Sequence, residues 1–166
     1  MRFKELELDL DSFGTTVVWD HGDYFLASPS VHRVNESEYG KYLEEVEKEL
    51  AKIGIVISGF EYDQEESYRQ GEDFYRAWAQ KRPLELYLPS LGWVSIWYCL
   101  DYFLVPPEIA NEEKVLSEIK KELERLGIET EEFFYDEKLR AYKAWIEKRD
   151  YYGNLDEFYH QLWKSF

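Results

Sequence analysis

Apolar and polar positions alternate most cleanly near the start of the chain, where Leu6, Leu8 and Leu10 interleave with Glu7, Asp9 and Asp11. A period of two marks a strand with one face in a core and the other in water. Ser12-Phe13-Gly14 then reads as a turn and Thr15 to Trp19 as a β-branched second strand. Asp20-His21-Gly22-Asp23 is a further tight turn, and Tyr24 to Ala27 a third strand ending near Pro29. After that the period lengthens. Tyr39, Leu43, Val46, Leu50 and Ile53 recur at helical spacing, with Asn35 and Glu38 placed as a capping box and Gly54 as the stop. Ile55 to Tyr62 predicts a fourth strand. Residues 65–80 predict a second helix, with Phe74, Tyr75 and Trp78 inward and Gly71 a weak point.

The same plan then returns. At an offset of 78, residues 4–29 meet the stretch from 82 onward with 12 identities, among them Asp23-Tyr24-Phe25-Leu26 on Asp101-Tyr102-Phe103-Leu104 and Trp19 on Trp97. At 73, Leu43 to Asp63 meets Leu116 to Asp136 with 10 identities; at 67, Tyr75-Arg76-Ala77-Trp78 meets Tyr142-Lys143-Ala144-Trp145. The order is kept, and the falling offset places two longer loops, by five and six residues, in the first copy. Self-similarity of this kind predicts a tandem duplication. The expected fold class is α+β: two β-β-β-α-β-α repeats, 1–80 and 83–150, forming one compact pseudo-twofold body, joined by the short Gln80-Lys81-Arg82-Pro83.

In the second copy Leu84, Leu86 and Leu88 alternate, and Ser90-Leu91-Gly92 turns. Tyr98-Cys99-Leu100 lacks the turn chemistry of Asp20-His21-Gly22, which leaves residues 98–101 open between a turn and a bulged continuous strand. Leu116, Ile119, Leu123 and Leu126 form a helix stripe before Gly127. The strand from Ile128 carries Glu129, Glu131 and Glu132, so one of its faces meets water, and Leu139, Tyr142, Trp145 and Ile146 mark a second helix. Residues 154–166 have no counterpart. Asn154 stands as cap, and Leu155, Phe158, Tyr159, Leu162, Trp163 and Phe166 make an amphipathic helix that must dock on the core, on the seam between copies or on a second chain.

Composition narrows the function classes. The 166 residues carry a net charge of −15, with 35 acids and 20 bases, and 18% are aromatic. That is too apolar for disorder and too acidic for phosphate backbones or anionic membranes, so neither nucleic acid nor membrane is expected as a partner. One cysteine, Cys99, excludes an intramolecular disulfide. The charged start of the chain does not read as a secretory leader, and prolines, glycine and Asp101 interrupt the apolar stretch Leu86 to Pro107, so it is rejected as a membrane span. A cytoplasmic protein, monomer or homodimer, follows. The abundance of Glu and Lys over Gln, Asn, Cys and Met is thermophile-like.

No phosphate loop, dinucleotide fingerprint, nucleophile elbow or zinc spacing occurs, so no catalytic residue, metal ligand or cofactor is expected. His32 reads as solvated and His160 as packing. Thirty aromatic side chains exceed the needs of a small core, so some should sit at a binding surface. The expected function is a non-enzymatic module holding a small apolar or cationic ligand in the crevice between repeats, on Asp23, Asp101, Trp19, Trp97, Tyr24 and Tyr102. Tyr75 with Trp78, and Tyr142 with Trp145, are possible walls of an aromatic pocket, though their spacing reads as core. The second expectation is an acidic inhibitor or adaptor for a basic protein, since residues 1–80 carry a net −10. A third is a hydrolase-type enzyme using His21 with Asp20 or Asp23.

Overall fold

The leucine alternation becomes a strand, β1 (Lys4–Leu10), whose Leu8 and Leu10 are buried. The computed structural model describes residues 3–150 and 155–164, so the proposed Asn154 cap and Phe166 lie outside the described residues. The chain divides into two units, Met1–Gln80 and Lys81–Phe166. Each combines an antiparallel sheet with helices, as expected of an α+β protein.

In the first unit β1 pairs with β2 (Gly14–Asp20) through a turn at Gly14, whose φ of +72° suits glycine. β2 pairs with β3 (Tyr24–Ala27). A 3-10 turn (Glu36–Glu38) leads into α1 (Tyr39–Lys52), which buries Tyr42, Val46 and Leu50 against Leu8, Leu10, Val18 and Phe25. The expected capping box does not form: the Asn35 side chain caps nothing, and its carbonyl accepts from Glu38 N–H at 2.8 Å. The predicted fourth strand is two short ones, β4 (Val56–Ile57) and β5 (Glu61–Tyr62). α2 (Gln64–Gln70) follows, its N-terminus capped by the Asp63 carboxylate, which accepts from Glu66 N–H at 3.0 Å.

The helix expected over 65–80 stops at Gly71, whose φ is +72°, and β6 (Tyr75–Leu88) begins four residues later. Gly71 is the stop signal and not a weak point inside a helix. Phe74, Tyr75 and Trp78 mimic helical spacing, but burial alternates instead: Ala77 and Ala79 are buried while Trp78 and Gln80 are exposed. β6 pairs with β3, β4 and β5 in the first unit and continues past residue 80. The anticipated linker Gln80–Pro83 therefore lies inside a strand, and Arg82 is fully buried.

The second unit starts with the remainder of β6, paired to β7 (Gly92–Tyr98) and then β8 (Tyr102–Val105). Of the two alternatives for 98–101, a turn or a bulged strand, the structure forms the hairpin turn. Leu100 takes φ +65° where the first unit places Gly22 at +87°. α3 (Glu113–Arg125) buries Val115, Ile119 and Leu123; β9 (Ile128–Thr130) and β10 (Phe134–Asp136) follow. The second helix expected around Leu139–Ile146 is again a strand, β11 (Ala141–Arg149), which pairs with β8, β9 and β10. α4 (Leu155–Trp163) docks on the same core as α3, with Phe158 fully buried and Gln161 Nε2 donating to the Glu85 carbonyl at 2.8 Å. No helix of the described residues is long and apolar enough to cross a membrane.

Strand pairing recurs between the units at the sequence offsets. Leu6 pairs with Val18 and Leu84 with Ile96; Trp19 with Leu26 and Trp97 with Leu104. Tyr24 pairs with Trp78 and Tyr102 with Trp145; Glu61 with Arg76 and Phe134 with Lys143. Each unit thus has the order β-β-β-α-β-β-β, the first adding α2 and the second α4.

Candidate functional site

Hairpin tips place the first group of predicted site residues. His21 N–H donates to the Tyr24 carbonyl at 2.9 Å, as Cys99 N–H does to Tyr102 at 2.9 Å. The Asp23 carbonyl accepts from Ala79 N–H and the Asp101 carbonyl from Ile146 N–H, both at 2.8 Å. The two aspartates thus extend the ladders through their backbones, at equivalent points. Asp20 is buried, and its Oδ1 accepts from Gly22 N–H at 2.8 Å. His21 stacks on Tyr24 with centroids 4.6 Å apart and lies 5.3 Å from the Phe3 ring. Burial lowers the His21 pKa against the pull of Asp20.

From these tips the strands carry side chains to two faces. In the second unit one face is the core under α3 and α4. The other face carries Trp97, Tyr102, Leu104, Ala141, Lys143 and Trp145, whereas α3 and α4 pack on the core face. Trp97 and Tyr102 pack together against Cys99, Leu104 and Ala141. Tyr102 and Trp145 meet edge to face at 5.2 Å. The Lys143 ammonium lies 4.2 Å from the Tyr102 ring centroid and 4.0 Å from that of Trp145, and the Lys81 ammonium 4.5 Å from Trp97. Both lysines pull down on the Cys99 thiol, whose pKa burial nevertheless raises to about 11.

The first unit builds a neutralised version at the equivalent positions. Arg76 lies 4.4 Å from the Tyr24 centroid and 5.7 Å from that of Trp78, but it pairs with Asp63 at 2.8 Å. Phe3 occupies the place of Lys81, and Trp19 meets Phe74 at 5.5 Å where the second unit has the smaller Ala141. Glu66 and Arg69 of α2 act on the ionisation of both His21 and Tyr24, so that helix borders this patch.

Two concavities also lie in the first unit. One of about 340 Å³ is lined by Ser30, Tyr62, Ser67, Tyr68, Glu72 and Asp73. Its Asp73 accepts from Tyr39 O–H at 2.8 Å, and burial and that bond push the Tyr39 pKa up to about 12. The other, about 290 Å³, is lined by Thr15, Thr16, His32, Arg33, Asn35 and Tyr42, among others. Both use the segments by which the first unit is longer, the loop after Pro29 and α2.

Compared with family models, curated proteins and solved structures, the chain matches none. The case for a site rests on geometry alone. Trp97 with Tyr102, and Tyr24 with Trp78, come together within their units; Trp19 is drawn off to Phe74. The aspartates Asp23 and Asp101 serve the ladders. Sequence reasoning missed Arg76 and Lys143 and read Trp78 and Trp145 as helical core. The signal that finds them is the period of two: Arg76 and Trp78, like Lys143 and Trp145, alternate with the buried alanines Ala77 and Ala144. The cation seat beside these rings is already taken by a protein cation.

Proposed function

We propose that the protein is a non-enzymatic binding module, and that its binding surface is the sheet face of the second unit turned away from α3. One observation carries the reading: Trp145, 41% exposed, stands with Tyr102, Trp97 and two lysines on the sheet face opposite the core that α3 and α4 cover. Rings that are rigid, amphipathic and partly exposed bind at low entropic cost, and Trp and Tyr dominate interface hot spots. Tyr87 and Trp93, 56% and 62% exposed and 5.6 Å apart, extend the aromatic character along β6 and β7. Stacking on such rings needs no catalytic group, and His21, stacked between Phe3 and Tyr24, supplies none to this surface. The test is an aromatic fragment screen by amide chemical shifts. Binders are expected to shift β7, β8 and β11 and to lose affinity in Trp145→Ala. Fragments that gather only in the Tyr62–Tyr68 concavity would overturn the assignment.

A second reading, docking of a basic protein, is favoured by the row Glu5, Glu7 and Asp9 exposed along β1. It predicts a complex that dissociates as salt screens the charges. The tandem duplication belongs to this proposal too. Its support is that four pairs of strand ladders keep register at the sequence offsets, which composition alone would not produce. A cytoplasmic setting accords with Cys99 as a buried free thiol.

A further inference from the structure

The two lysines on this face differ from Arg76, their counterpart in the first unit. Neither Lys81 nor Lys143 has a carboxylate within ion-pairing distance among the described residues. The first unit shows how the fold neutralises the position when it does so: Arg76 is paired with Asp63 and lies opposite Glu61 in the ladder. In the second unit Phe134 replaces that glutamate opposite Lys143. Of the acids near this patch, Asp136 turns its Oδ1 to the amides of Lys138 and Leu139 at 3.0 and 3.1 Å, and both it and Asp101 act on Tyr102. An acid has given way to an aromatic ring, and a second cation, Lys81, stands where the first unit has Phe3. Both lysines act on one thiol, Cys99, so their charges converge on one patch.

We propose that this patch binds a mononucleotide: a planar base stacked on Trp145 or Trp97, with its phosphate drawn to Lys81 and Lys143. The inference rests on the binding-surface reading above and names the ligand class. The rings supply a stacking platform tolerant of the base, and the lysines supply point charges for an anion. A whole strand is disfavoured, because a chain of net charge −15 repels a polyphosphate while two local cations still attract one phosphate.

The test titrates AMP, adenosine and indole into the full chain, read by amide shifts and, for AMP and adenosine, by tryptophan fluorescence. AMP is expected to bind tighter than adenosine and to shift β7, β8 and β11. Lys143→Gln and Lys81→Gln should each weaken AMP about tenfold while leaving adenosine unchanged, as loss of one charge-assisted contact implies. Lys143→Arg should restore AMP binding, and Arg76→Gln should change nothing. Adenosine binding equal to AMP and indifferent to both lysines would overturn the nucleotide class while leaving the aromatic surface standing. If neither AMP nor adenosine nor indole perturbs β11, the surface reading falls as well. A single-stranded oligonucleotide that binds tighter per nucleotide than AMP would overturn the choice of a mononucleotide.

Discussion

Phe158 offers the sharpest probe of how α4 is held. Its ring is fully buried, 5.1 Å from the Tyr98 ring and 6.2 Å from that of Phe103, both near perpendicular. Phe158→Ala removes the ring from a close-packed site whose walls are strands, which cannot collapse into the space. Such truncations cost about 3–5 kcal/mol, transfer and cavity terms together. With a guanidinium m-value of about 4 kcal/mol/M, the denaturation midpoint should fall by roughly 1 M. Gln161→Ala, which removes only the bond to the Glu85 carbonyl, should cost about 1 kcal/mol and serves as the internal scale. The assay is equilibrium denaturation followed by circular dichroism at two protein concentrations well apart. A loss below about 1 kcal/mol would refute docking in a tight core. A midpoint that moves with protein concentration would refute docking within the chain and favour a helix that packs on a second copy.

Other expectations follow from single residues. Tyr42→Phe leaves the buried Thr16 hydroxyl without its partner and should cost about 1–3 kcal/mol by thermal or chemical denaturation. Gly71→Ala meets no atom within 4 Å, so its penalty is the left-handed backbone alone, about 1 kcal/mol or a melting shift of roughly 2–4 °C. His21 has its pKa lowered by burial below the ordinary 6.5, so the folded state resists protonation. Its contribution is full above that pH and is lost as pH falls through the lowered value; His21→Phe should flatten this part of a stability–pH curve by up to one proton, about 1.4 kcal/mol per pH unit.

Much of the fold was legible because similar patterns recur along the chain. The leucine alternation, the two helix stripes and the glycines at 54 and 127 lie in patterns whose period is unambiguous. The last strand of each unit was not legible. Tyr75 and Trp78, like Tyr142 and Trp145, are three apart, and with Glu-rich flanks they imitate a helical face; only the pairing partners on β3 and β8 decide for extension. The turn at Leu100 stayed undecided against a bulge for a related reason. No residue there advertises positive φ, and the ladder on either side imposes it at a cost of roughly 1–2 kcal/mol. The candidate surface was half visible. Trp97 and Tyr102 stood out by repetition, whereas the lysines emerged only when the strand phase put them beside the rings.

The two concavities of the first unit hang on the segments the second unit lacks, while the ladders beneath keep one register. The framework can therefore gain or shed these ornaments without disturbing hydrogen-bonded backbone. Replacing residues 64–73 with the short 137–140 connection amounts to a graft between matched stems, and it would show whether recognition in this architecture can be swapped like a fitting.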